Sequence, residues 1–200
     1  MSVRQLIPQD LASIPPGPEL ARVLAGIELS WLSGFDCVAV LKAQYRQANH
    51  ERARVMAAMV EVGMSGMGPA GDELRRMAPD EFSADEIRAA LMLTRRAADA
   101  QFWLAHDLLT RLPEVHAAMD AGELDEPRAQ VFSDWTTELS PDQARAVCAT
   151  LLPQARKLDA GDGAASRVEA DLASGAISCP GCGAPLRARG ATLGPAGFET

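Results

Sequence analysis

Two hundred residues, 48% hydrophobic, 23% charged and 4% aromatic, suffice for one or two domains with a substantial core, which excludes wholesale disorder and any need for disulfide staples. Nineteen Lys and Arg against 27 Asp and Glu leave a net charge of −8, which opposes undirected adhesion to nucleic acid or an anionic membrane, so only a local basic face could support such binding. The first ten residues are polar and carry Pro8, and no run reaches the roughly 18 apolar residues of a membrane helix; the expected address is the cytoplasm, with no membrane partner.

Prolines 8, 15, 16 and 18 make residues 1–18 an irregular leader. Leu20, Leu24, Ile27 and Trp31 then recur at helical spacing, one amphipathic helix that Ser33 and Gly34 interrupt. Beyond the break, Val38, Leu41, Tyr45, Ala48, Arg52, Val55, Met59 and Val62 step alternately by three and four. This is the seam of a long helix ending near Gly63, suited to helix-to-helix association within one chain or between two. Residues 64–80 are rich in Gly, Met and Pro with no stable period, and predict a mobile connector. Met56, Met59, Met64 and Met67 cluster beside it, as core filling or as an adaptable partner surface.

Ser83 with Glu86 has the form of a capping box, and Ile87, Leu91, Thr94, Ala98, Phe102, Ala105, Leu109 and Leu112 line a second long helix that Pro113 ends or kinks. Shorter helices follow over 114–121, closed by Gly122, and over 126–139. Ser140 before Pro141 opens a last helix through Cys148, Leu151 and Leu152, with Pro153 near its end. No segment alternates in the manner of a strand. The predicted fold class is therefore all-α: a bundle of two long antiparallel helices with several shorter ones over 19–157, followed by a flexible tail over 158–200 in which 166–173 forms at most a weak helix. The acidic excess lies in the bundle between Pro113 and Arg145, where eight carboxylates face only Arg128 and Arg145.

Cys37 and Cys148 sit in apolar helical contexts and read as inert core thiols. In the tail, Cys179-Pro180-Gly181-Cys182-Gly183 spaces two thiolates for one tetrahedral zinc, but this is half a site. Completion from Cys148 or His116, sharing of one zinc by two chains, a redox pair, and a metal-free remnant are the alternatives. Otherwise no cofactor is expected. His50, His106 and His116 include no pair four residues apart, and no nucleophile elbow marks a reactive Ser, so no catalytic residue is assigned. Arg46, Arg52 and Arg54 on the first long helix and Arg88, Arg95 and Arg96 on the second are the candidate phosphate contacts, or else solvated faces paired with neighbouring carboxylates.

The stretch SADEIRAALMLTRRAA at 83–98, followed by LTRLP at 109–113 and AAMDAGELDEPRA at 117–129, resembles the actinobacterial 13E12 repeat family, domain of unknown function 222. In that family a helical domain commonly precedes an HNH endonuclease, so the resemblance implies an association with DNA-cleaving or mobile-element proteins. An HNH site needs a histidine to activate water and further His, Asn or Asp side chains to organise a metal. Here the one asparagine is Asn49 and the last histidine is His116, so nothing after Cys182 can build that site. The expectation is the helical domain with its nuclease missing or truncated: no enzyme, but an interaction or regulatory module. The alternative is a nucleic-acid-binding domain that positions an HNH nuclease. The expected partners are a protein, a second copy joined through helices, or DNA.

Overall fold

The computed structural model of the chain describes residues 5–67 and 71–155. Among them seven α-helices and one two-stranded hairpin make up the regular structure, so the all-α reading holds. No helix of the described residues is long and apolar enough to cross a membrane. The tail expected at 158–200, and the weak helix expected at 166–173, lie outside the described residues.

The irregular leader gives way at Pro18, whose fixed φ suits a first helical position, and α1 runs Pro18–Ala25. The helix expected to reach Trp31 stops there. The Gly26 N–H turns back to Val23 O, and the Gln5 side chain clasps the turn, donating to Gly26 O at 2.8 Å and accepting from the Glu28 N–H at 2.8 Å. Leu29–Trp31 forms a single 3-10 turn, and Trp31 is left exposed.

Ser33 accepts from the Asp36 N–H at 3.1 Å and starts α2, Gly34–Met64, the spine of the molecule. In its first half Val40, Ala43 and Gln47 are buried, and the two apolar ones pack with Leu11, Leu20 and Leu24 of the leader and α1. In its second half Asn49, Ala53, Met56, Met59, Val60, Gly63 and Met64 are buried instead. At 3.6 residues per turn the two sets point about half a turn apart. The helix therefore offers one face to α1 and the opposite one to the helices that follow. This corrects the expected seam: of its members Met59 alone is buried, while Val38, Leu41, Tyr45, Ala48, Val55 and Val62 are exposed.

The connector after α2 holds a short hairpin, with β1 (Ser65–Met67) antiparallel to β2 (Glu73–Arg75) and Gly66 opposite Leu74. Three-residue strands are too short to show alternation in sequence. Arg75 pairs with Glu61 and holds that carboxyl below its ordinary range, tying the hairpin to the end of α2. The second long helix is in two pieces, α3 (Asp85–Leu91) and α4 (Arg95–Thr110). Met92 takes the left-handed conformation at φ 52°, its N–H closing α3 on Arg88 O, and Thr94 caps α4 by accepting from the Ala97 N–H. The capping box expected at Ser83 is not made: Ser83 Oγ instead accepts from the Asp80 N–H at 2.9 Å, and Ala84 stands at the N-cap.

The later elements follow their local signals. Pro113 opens α5 (Pro113–Asp120), and Gly122 closes it at φ 73°. Asp125 caps α6 (Glu126–Trp135), which ends short of Leu139, with Thr136 Oγ1 donating back to Phe132 O. Ser140 and Gln143 form a reciprocal capping box at the head of α7 (Pro141–Ala155). The main core gathers Ala53, Met56 and Val60 of α2 with Leu108, Val115, Met119, Phe132 and Leu151 from α4 to α7. A smaller cluster joins Met59, Ile87, Ala98 and Phe102.

At the α2–α4 contact Gly63 is required by space. A Cβ there would lie 2.8 Å from Ser83 O and run into the Phe102 ring. Gly63→Ala should lower stability by about 1–3 kcal/mol through overpacking, whereas Gly34→Ala, with nothing within 4 Å, should leave it unchanged or slightly higher. Urea denaturation of both variants checks this, and equal stability for the two would contradict the packing.

Candidate functional site

The six arginines do not form one face. Arg46 donates to Ile14 O at 3.1 Å and Leu11 O at 2.9 Å, binding the leader to α2. Arg52 makes two 2.7 Å bonds to the Glu126 carboxylate and a third to Gln101 at 3.2 Å, joining α2, α6 and α4. Both guanidiniums are occupied within the fold. Arg54 and Arg96 are exposed and make no ion pair among the described residues, while Arg88 and Arg95 stand 3.9 Å from Asp85 and Asp99, loose contacts on the surface.

A second polar cluster escaped sequence reasoning. Asp107 on α4 and Arg111 at its C-cap pair through both carboxylate oxygens at 2.6 and 2.7 Å. Arg111 also donates to Thr136 O at 2.7 Å and to Ser133 O at 3.2 Å, and the Ser133 hydroxyl donates to Asp107 at 2.6 Å. The spacing of Asp107 and Arg111 by four residues was the available signal; Ser133 and Thr136 had none. The cluster clasps the end of α6 to α4. Its carboxylate and guanidinium are bonded to each other and to protein groups.

The acidic segment is spent in the same way. Asp125 caps α6 and accepts from the Tyr45 hydroxyl at 2.7 Å, a bond that, with some burial, pushes the phenol above its ordinary range. Glu126 holds Arg52, Asp120 faces His50 at 3.1 Å, and Asp134 accepts from Gln130 at 2.6 Å. His116 Nε2 lies 3.0 Å from Ala53 O, and His106 packs edge-on against Trp103.

Cys148 is buried in the main core, and desolvation pushes its thiol up to about 12. No group of three metal-binding side chains occurs among the described residues. Cys179 and Cys182 lie outside the described residues. Cys37 is half-buried. Between α1 and α2 a shallow open groove is lined by Ala21, Leu24, Ala25, Gln44, Gln47, Ala48 and Glu51, with one carboxylate and no base beside it.

What the surface does carry is apolar. Leu6, Leu29, Trp31, Phe35, Val38, Leu41 and Tyr45 are all more than half exposed at the end of the molecule where α2 begins. A second group, Met67, Met77, Phe82, Met92 and Trp103, comes from the hairpin, α3 and α4 and the segments between them.

Fold and site together define a small helical domain built on one spine helix, with Arg46, Arg52, Asp107, Arg111 and Glu126 used as clasps between its elements. The chain belongs to the DUF222 family, a domain of unknown function whose model matches residues 42–180. Nothing matches it among curated proteins or among solved structures. The match begins inside α2, so α1, Trp31, Phe35, Val38 and Leu41 precede it.

The Cys148 thiol has a direct consequence. Its folded value of about 12 stands above the ordinary 9.0, so the stability it contributes is complete below pH 9.0 and is lost as pH rises toward 12. Melting temperature should fall more steeply over that alkaline window for the native sequence than for Cys148→Ala. With a thiol reagent at neutral pH, peptide mapping should find Cys37 modified and Cys148 untouched until the chain unfolds. Equal labelling of the two in the folded chain would contradict the burial.

Proposed function

We propose that this chain is a non-catalytic helical interaction or regulatory module of an HNH-endonuclease-associated family, acting in the cytoplasm and needing no cofactor. The observation that carries the reading is the division of its side chains. Arg46, Arg52, Asp107, Arg111, Asp125 and Glu126 hold helices together, and the large residues left facing solvent are Trp31, Phe35, Leu41, Met77 and Met92. Buried, mutually satisfied charges stabilise one arrangement of a fold, whereas clustered exposed apolar side chains mark a surface that another macromolecule covers. The resemblance at 83–129 supplies the nuclease association.

Purified chain incubated with supercoiled plasmid and magnesium or manganese should leave the DNA intact. A metal-dependent cut, abolished by a substitution within this chain, would overturn the reading.

A second reading, a nucleic-acid-binding domain that positions an HNH nuclease on DNA, is favoured by exposed Arg54 and Arg96, which make no ion pair among the described residues, and by Arg88 and Arg95, whose carboxylates are 3.9 Å away. It predicts duplex binding that weakens steeply with salt, with a slope reduced by about 1 for each arginine lost when Arg95 and Arg96 become Ala. Fluorescence anisotropy at low salt decides it: no binding there discards this reading and leaves the first.

A further inference from the structure

We infer that the exposed stretch of α2 from Phe35 to Ala48, together with Trp31, is a self-association face on which a second copy of this chain lays its own α2 antiparallel. The inference rests on the interaction-module reading and names the partner. It begins from direction. Phe35, Val38, Leu41 and Tyr45 continue toward the start of α2 the side of the helix that, further along, buries Met56, Met59 and Gly63. The intramolecular cover ends at Tyr45, whose hydroxyl reaches Asp125 at the head of α6. Before that point Phe35, Val38 and Leu41 are each more than half exposed.

Area is the second argument. Trp31, Phe35 and Tyr45 are 56%, 85% and 51% exposed, and Leu6 sits beside them because the Gln5 N–H bonds Trp31 O at 3.1 Å. With aromatic side chains of about 150–250 Å² each, these residues plus Leu29, Val38 and Leu41 offer about 800 Å², what one partner contributes to a stable interface of standard size. That is more than the largest apolar patch of an ordinary monomer.

The third argument is self-complementarity. Alternating steps of three and four are the spacing at which knobs of one helix enter holes of another. A two-fold axis between Ala39 and Val40 sets Val38 against the partner's Leu41 and Tyr45 against the partner's Gly34. A large side chain thus meets a small one in the outer layer, and branched aliphatics meet at the centre. A parallel pair would instead stack Tyr45 on Tyr45 and bring Lys42 against Lys42, two like charges on one seam. Lys42, exposed one turn after Val38, is the one cation on this side of the stretch, and in the antiparallel register it meets the partner's Cys37 rather than a second cation.

Sedimentation velocity of the full-length chain should give twice the 21.2 kDa chain mass, and Val38→Glu or Leu41→Glu should weaken association about 100-fold or more by burying an unpaired carboxylate. Both positions are exposed in the single chain, so helical circular dichroism should be unchanged. For orientation, oxidised mixtures of Val38→Cys and Leu41→Cys chains should cross-link to each other in preference to themselves; preferential self-linking of each would overturn the antiparallel arrangement. A single-chain mass for the native sequence up to about 100 μM, well above the Kd expected of an interface this size, overturns the inference, as does a dimer indifferent to both glutamates. The occupant would then be residues 156–200 or a different protein, and the module reading, which fails only on DNA cleavage, would stand.

Discussion

One helix has to serve two cores on opposite sides of itself. Over its first half α2 gives Val40 and Ala43 to the leader and α1, and over its second half it gives Ala53, Met56 and Val60 to α4, α5 and the helices beyond. The change of side falls between Gln47 and Arg52, and polar residues make it. Gln47 is buried and accepts from the Gly17 N–H at 2.8 Å while donating to Glu51, and Asn49 is buried on the other side two residues later. A run of purely apolar side chains there would leave the Gly17 N–H at the start of α1 without its acceptor. Everything else is hung on this handover.

Apolar burial supplies most of the stability, but it has no direction, and a spine serving two sides needs its attached helices held in register. The arginines do this. Arg46 anchors the leader, Arg52 ties α2 to α4 and α6, and Arg111 ties α4 to the end of α6. Gly63 and Gly122 allow the closest backbone approaches, one beneath Phe102 and the other against Arg46 O. Because charge is used internally, the outer surface near the start of α2 is left to aromatic and aliphatic side chains, and the functional reading follows from that distribution.

What could be read from sequence was what local chemistry decides. Ser33 and Gly63 marked the ends of α2, Pro113 and Gly122 bracketed α5, and Ser140 and Pro141 wrote the start of α7. Family membership was legible in residues 83–129. The direction of burial was not. A three-and-four seam reports where apolar side chains line up, not what lies opposite them, and the second-half core of α2 uses Ala53, Gly63 and flexible methionines that blur the period. The break between α3 and α4 was hidden because the apolar stripe runs through Leu91 and Ala98 without missing a turn, while the decision is made by Met92 and Thr94. Arg46 and Arg52 looked like candidate phosphate ligands because a charge reads the same whether it meets solvent or a carboxylate 74 residues away.

The central claim is that α2 joins both cores into one cooperative unit. Native-state hydrogen exchange tests it most directly, by comparing amides of Val40–Gln47 with those of Ala53–Val60 as denaturant is raised. The account predicts that both stretches open with one free energy, equal to that of global unfolding. Exchange of the first stretch through a separate, much cheaper opening, with the second still protected, would contradict it.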